Sequence, residues 1–405
     1  MENHNHHKNH TNNTTTTTNP FSHQHPAQTT YFADRTKQIQ YFKQTAKNSA
    51  KLNPPAPLNY AILGTWGQGK TSLVYKLKEI ALNELQTEIQ CACIYFPLMP
   101  QYCKNWDTFT ENLLKKIKTT TEATQNILPK IKKEIDQWEI SINTGIISAK
   151  RKSDEKQHQT PNLTDALQQL WEQHLQPSGV QIAFIMLDDL HYFPLKAEDS
   201  AYLNLRTTFQ ELVNRGCNYS LVVTAHSLLF SEIAELAEPI VRFFTPFELK
   251  SFTFAEVKES IDVRLKAAKN TTVIDDEVIQ VITEKTVGHP YMVVFSMSEL
   301  LMHSEGKEHI GLEELQAAWS DIEYSFGRMF FSQKFQIATD KERQLMIAIA
   351  KTKKEFVSPT DFKMFGKGVA ELFSRLESKE LLVKQERGKY SLFHPMFAEF
   401  LRHQQ

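Results

Sequence analysis

The 405-residue sequence carries no excess charge of either sign: 46 Lys and Arg stand against 47 Asp and Glu, a formal net charge of -1. That balance excludes a chain whose whole surface attracts nucleic acid, so any basic surface must be local. Cysteine is scarce as well, with four residues in all, too few for a disulfide framework. Cys91 and Cys93 alternate along an apparent strand and, with Cys217, read as small core residues in a reducing cytoplasm. No apolar run approaches the ~20 residues that a membrane span needs, and the polar N-terminus lacks the apolar segment of a secretory signal. A soluble, cytoplasmic chain with no membrane contact is the expectation. Apolar residues make up 41% of the sequence, which at this length suffices for about two or three cores.

The first stretch, MENHNHHKNHTNNTTTTTNP, has almost nothing to bury and is expected to be a disordered tail, here bounded at residues 1–27. Four histidines within its first ten residues suit a loosely held metal. A low-complexity tail is the plainer reading, because a metal site needs a scaffold to fix its geometry. From Tyr31 apolar residues recur near helical spacing until KLNPPAPLN breaks the pattern. A short apolar strand, Tyr60 to Leu63, then delivers AILGTWGQGKTSLVYKL, with a helix expected from Thr71 to Leu82. Further apolar runs at 91–98, 182–189, 219–226 and 243–249 alternate with helical stretches, the pattern of a mostly parallel sheet covered on both faces. The charged run at 150–156 reads as an exposed loop or a local contact for a partner. After residue 250 a helical bundle is expected, and then three helices and a two-stranded hairpin with its turn at Arg387 and Gly388, which is the order of a winged helix.

The chemistry is concentrated in the loop. Gly64, four residues, then Gly69, Lys70 and Thr71 is the spacing of a phosphate-binding loop lying between a strand and a helix. Side chains at Gly64, Gly67 or Gly69 would obstruct backbone N–H groups that point at phosphate oxygens. The whole stretch Gly64, Thr65, Trp66, Gly67, Gln68, Gly69, Lys70, Thr71 and Ser72 is therefore the candidate ATP site, with Lys70 on the outer phosphates and Thr71 offering its hydroxyl to Mg²⁺. IAFIMLDDL ends an apolar strand in acid, placing Asp188 to hold Mg²⁺ and Asp189 to polarise an attacking water. YSLVVTAHS ends the next strand in Thr224, His226 and Ser227, among which His226 is favoured as a sensor of the γ-phosphate; Ser227 also suits a helix cap. Arg242 is a candidate finger toward the γ-phosphate of its own or a neighbouring subunit, or else a surface ion pair, and Arg206 and Arg215 are further arginines that could reach an interface.

FADR (Phe32 to Arg35), GTWGQGKT, IMLDD, VVTAHS and VGHPY (Val287 to Tyr291), followed by the winged-helix pattern, together resemble the archaeal-type ATPases of the AAA+/STAND assemblage, relatives of the origin-recognition ATPases. The resemblance covers roughly residues 28 to 402. It implies an α/β P-loop NTPase with a five-stranded sheet whose catalytic strand lies beside the loop strand, spanning 28–250, a helical lid over 251–325 and a winged helix over 326–405. It also implies that Pro290, in the Gly288-His289-Pro290 element, packs near the nucleotide, and that Arg35 helps fix its base end.

The winged helix admits two roles. Lys367, Arg375, Lys379, Lys384, Arg387 and Lys389 suit phosphate contacts on double-stranded DNA. Glu371, Glu377, Glu380 and Glu386 dilute that field and suit a module that docks a protein. The expected function is a switch that binds ATP and hydrolyses it slowly, working on DNA or with a separately encoded partner, as a monomer or a homo-oligomer. The alternative is a scaffold that binds ATP or ADP without hydrolysis, or a signalling or defence module that docks a protein partner without DNA.

Overall fold

The computed structural model describes residues 18–123, 162–193, 201–227, 230, 232, 242–386 and 388–404; the histidine-rich stretch, the charged run at 150–156 and Arg387 lie outside them. The chain divides into two compact units, Pro26–Lys250 and Ser251–Gln405, the latter joined by residues preceding Pro26.

The first unit runs α1 (Thr36–Lys51), β1 (Asn59–Leu63), α2 (Lys70–Glu79), β2 (Cys91–Pro97), α3 (Trp106–Ala123), α4 (Leu163–Leu170), β3 (Ile182–Asp188), α5 (Ala201–Asn214), β4 (Tyr219–Ala225) and β5 (Phe244–Glu248). Its five strands stand in the order β2-β3-β4-β1-β5, and every neighbouring pair is parallel. Every residue of β1, β3 and β4 is buried, which is why these strands read as unbroken apolar runs without alternation. The period of two is nevertheless there: Ala183, Ile185 and Leu187 join the core on one face, and Ile182, Phe184 and Met186 the core on the other.

One expectation needs correction. The strand carrying Asp188 is not beside the loop strand, because β4 lies between them, paired on one edge with β3 and on the other with β1. The crossover through α5 returns the chain next to β3 and fills that gap. Apolar runs reveal strands, not the edge on which each is added.

The second unit contains α6 (Phe254–Ala267), β6 (Val273–Ile274), α7 (Asp276–Thr286), α8 (Pro290–His303), β7 (His309–Ile310), α9 (Leu312–Phe326), α10 (Ser332–Gln336), α11 (Asp340–Lys351), α12 (Val369–Ser378), the antiparallel pair β8 (Leu382–Glu386) and β9 (Lys389–Leu392), and α13 (Pro395–Arg402). A single apolar cluster runs from Val257 to Leu401, so the residues expected as lid and as winged helix share one core. The second of the three expected helices is a 3-10 segment, Pro359–Phe365, kinked at Phe362, and α13 after the hairpin has no counterpart in the sequence reading. Part of the expected tail is packed: Phe21 is buried in this cluster, and Asn19 Nδ2 donates to the Ser298 carbonyl at 2.9 Å.

Two contacts hold the two ends of this unit together. His394 caps α13 by accepting from Met396 N at 3.1 Å through Nδ1, while Nε2 donates to the Thr286 carbonyl at 2.9 Å at the end of α7. Burial lowers its pKa and keeps the ring neutral, and the two hydrogen bonds set the tautomer. Just beyond, Gly288 has φ 61°, and a Cβ there would stand 1.9 Å from the Phe252 carbonyl oxygen. Only glycine fits where those two backbones meet.

Candidate nucleotide-binding site

β1 ends at Leu63 and α2 opens at Lys70, so the glycine loop hangs at the C-terminal edge of the sheet with a helix N-terminus at its far end. Gly67 and Gly69 take left-handed φ values of 76° and 88°, a conformation in which successive N–H groups converge on an anion. At Gly64 the constraint is space: a Cβ would come within 3.3 Å of Gln68 Cβ and 3.4 Å of Leu249 Cβ. Lys70 Nζ donates to the carbonyls of Gly64 and Thr65, both at 2.9 Å, which keeps the ammonium over the loop. Gln68 is buried and its Oε1 has no hydrogen-bond partner. Trp66 is exposed, and Thr71 is half-buried at the start of the helix. Ser72, expected to help bind the nucleotide, is used by the protein itself: its Oγ accepts from Ala27 N at 3.0 Å.

Asp188, at the end of β3, is 3% exposed. Its Oδ1 accepts from the Thr224 hydroxyl at 2.5 Å and its Oδ2 from the Tyr95 hydroxyl at 2.8 Å, donors supplied by the strands on either side. Among the described residues no cation stands in ion-pair contact with it. A carboxylate has further lone-pair sites beyond those two, so its charge is oriented and left uncompensated. Burial and the Asp188 charge both push the Tyr95 phenol up, so it remains a donor. Asp189 follows with φ 65°, and its backbone N–H donates to Thr224 Oγ1 at 2.8 Å. Burial and then the charge of Asp188 raise the Asp189 carboxyl, partly offset by His191 and Lys70. Its pKa is thereby moved toward that of a base useful near neutral pH.

Thr224, one of the three candidates for sensing the γ-phosphate, thus ties both acids to β4. In register, Ala225 lies opposite Leu63, so His226 stands level with the start of the glycine loop. Tyr95 was missed altogether. The signal available was a tyrosine in an otherwise apolar strand, and a buried tyrosine hydroxyl needs an acceptor.

Arg35, Arg242 and Pro290 are each placed by a different part of the fold. Arg35 is buried, with Nη2 donating to the Lys250 carbonyl at 2.8 Å and Nη1 3.4 Å from Asp34, so it ties the start of α1 to the chain leaving β5. Arg242 precedes β5, whose Phe244 pairs with Asn59 at the start of β1 and whose Glu248 pairs with Leu63 at its end. Those four steps alone span about 13 Å at roughly 3.3 Å per residue. Arg242 therefore stands at the edge of the sheet opposite the loop, and a finger onto its own subunit's phosphate is excluded. Pro290 opens α8 in the helical unit.

Two basic residues of the C-terminal module, Arg375 and Lys379, are committed to partners within the protein. Glu342, on α11, is fully buried and accepts from Arg375 Nε at 3.0 Å and from Lys379 Nζ at 2.6 Å. Arg375 also pairs with Glu371 at 2.9 Å. Burial pushes the Glu342 carboxyl up, but Lys379, the Thr339 N–H and Arg375 outweigh it and hold the pKa at about 2. Arg375 and Lys379, expected to face DNA phosphates, clamp α11 to α12 and its C-terminal turn, with the Arg375 side chain still 46% exposed.

No family model matches the sequence, and no curated protein matches it. Solved structures do match in fold. The Walker-type ATPase of Pyrococcus abyssi aligns over 92% of this chain and 96% of its own, with TM-score 0.57 and 14% identity. The ORC2 protein of Aeropyrum pernix, in ADPNP-ADP complexes, aligns over 94% and 96%, with TM-score 0.60 and 12% identity. Its ADP form aligns over 90% and 91%, with TM-score 0.50 and 12% identity. At such identity the likeness establishes architecture: the chain has the fold of an origin-recognition-like P-loop ATPase over nearly its whole length.

Proposed function

We propose that the chain binds ATP at the glycine loop, hydrolyses it slowly, and works as a nucleotide-dependent switch. The observation that carries this reading is Asp188: a buried carboxylate held by two neutral hydroxyls, with no protein cation on it among the described residues, at the strand edge where the loop and Lys70 lie. Such a charge is costly to bury unless a cation shares the site. Thr71 and Asp188 are hard oxygen donors of the kind Mg²⁺ takes with one or two carboxylates and substrate phosphates, and the left-handed glycines fit a phosphate. Bound there, Mg²⁺ would neutralise charge developing on the phosphoryl oxygens.

The chain's own residues supply the rest. Loop N–H groups and the dipole of α2 hold the phosphates, with Lys70 placing its charge on the outer ones. Thr224 and Tyr95 fix the direction of Asp188. Asp189 takes the proton of the water whose oxygen attacks the terminal phosphorus, and ADP leaves. Turnover is slow because the short Asp189 side chain reaches less far than a glutamate would.

The C-terminal helices and hairpin act as a winged-helix module that docks a separately encoded protein. The commitment of Arg375 and Lys379 to Glu342 favours docking over DNA. Nucleotide state shifts such a partner only through contacts that differ between the two states. The test is steady-state ATP hydrolysis with and without duplex DNA, with Asp189→Asn as the blank. Slow turnover indifferent to DNA and lost in the blank is expected. Stimulation by DNA would overturn the docking role, and turnover unchanged in the blank would remove Asp189 as the base.

A further inference from the structure

In the helical unit the first turn of α11 and the 3-10 segment Pro359–Phe365 border an open groove of about 530 Å³, lined by Asp340, Lys341, Gln344, Met364 and Phe365. Phe362 is buried and Phe365 packs on the core, whereas Met364 between them is 78% exposed, more than any other large apolar side chain among the described residues. A single exposed apolar residue is ordinary on a protein surface. This one lies beside a half-buried phenylalanine in a concave site, and its flexible thioether adapts to whatever is laid against it.

The charges around it are lopsided. The acids of these two elements are Asp340, Glu342 and Asp361, and each is already engaged. Asp340 pairs with Arg343 at 3.4 Å, Glu342 with Arg375 and Lys379, and Asp361 accepts from Ser358 N at 2.8 Å. Lys341 lines the groove, and Lys363 and Lys367 flank Met364 and Phe365 in the sequence. All three lysines are exposed, and among the described residues none of them stands in an ion pair. Unpaired positive charge beside an apolar wall is complementary to a peptide that carries carboxylates next to a bulky apolar side chain. A nucleic-acid backbone matches it poorly, since its phosphates offer nothing to Met364 and Asp340 stands in the groove itself.

We propose, on the footing of the docking role given above to the C-terminal module, that this groove is where the separately encoded partner seats an acidic segment. A bulky apolar residue of that segment lies against Met364 and Phe365, and its carboxylates face Lys341, Lys363 and Lys367. Because those charges are exposed, the contact weakens as salt rises.

The test uses the full chain and a labelled synthetic peptide in which glutamates and aspartates surround a leucine-phenylalanine pair, followed by fluorescence anisotropy; a peptide with glutamine and asparagine in place of the acids is the control. Only the acidic peptide is expected to bind, weakened at least about tenfold by Met364→Ser and by Lys341→Gln combined with Lys363→Gln, and kept by Met364→Leu. Melts of these surface variants should superimpose on the wild type. No binding of the acidic peptide, or binding indifferent to Met364, would overturn this face and leave the docking role to another surface. A short DNA duplex that displaces the peptide and needs the two lysines would overturn the docking role itself. Self-association that needs Met364 in sedimentation runs would overturn the proposal as well, because the occupant would then be a second copy of the chain.

Discussion

Asp188 in the sheet unit and Glu342 in the helical unit are both buried carboxylates, and their surroundings differ in kind. Glu342 is met by Lys379 and Arg375, whereas Asp188 is met by the hydroxyls of Tyr95 and Thr224. A buried charge with cations on it is internally neutral and serves the fold. One held only by neutral donors is oriented and still lacks a counter-charge, which is the ground of the metal role proposed for Asp188. The contrast separates a site from a structural ion pair without reference to any motif.

The comparison breaks if the two acids respond alike to neutralisation. Asp188→Asn should lower Mg²⁺-dependent ATP turnover at least about a thousandfold, roughly 4 kcal/mol of transition-state stabilisation, with no loss of thermal stability in the absence of nucleotide. A large drop in melting temperature would make Asp188 structural like Glu342. Gly288→Ala should destabilise the helical unit by about 3 kcal/mol or more, because the added Cβ meets the Phe252 carbonyl at a left-handed φ; a denaturant midpoint equal to wild type would refute that geometry. Glu342→Gln should cost about 2 kcal/mol in denaturant unfolding while sparing turnover, a figure moderated by the partial exposure of both cations.

Because the folded pKa of Glu342 is depressed to about 2, its contribution is complete above the unfolded value of 4.5 and is lost as pH falls toward 2. The smallest effect belongs to His394. Its pKa is lowered by burial, so its contribution is complete above about 6.5 and declines on acidification below it. His394→Gln should flatten that part of the stability profile, and an unchanged slope would assign it to other groups.

The fold was largely legible. Apolar runs at 91–98, 182–189, 219–226 and 243–249 became β2 to β5 nearly residue for residue; in β3 and β4 a fully buried parallel strand leaves no polar face to confuse the pattern. The loop was legible because its glycines and Lys70 are close in sequence. What escaped depends on pairing at a distance. β4 enters between β1 and β3 through a crossover that leaves no mark in composition. Tyr95 reaches Asp188 across 93 residues. The pairing of Arg375 and Lys379 with Glu342, 33 and 37 residues before them, could not be seen in the sequence. Lysines and arginines can be counted in a sequence; which of them are already neutralised cannot.

The account stands most directly on equilibrium binding of ATP in the presence of Mg²⁺ to the wild-type chain and to Lys70→Ala, with thermal melts of both. It predicts binding by the wild type, at least about a hundredfold weaker binding by the variant, roughly 2.7 kcal/mol, and superimposable melts. Equal affinity in the two proteins, or no binding by the wild type, would contradict it.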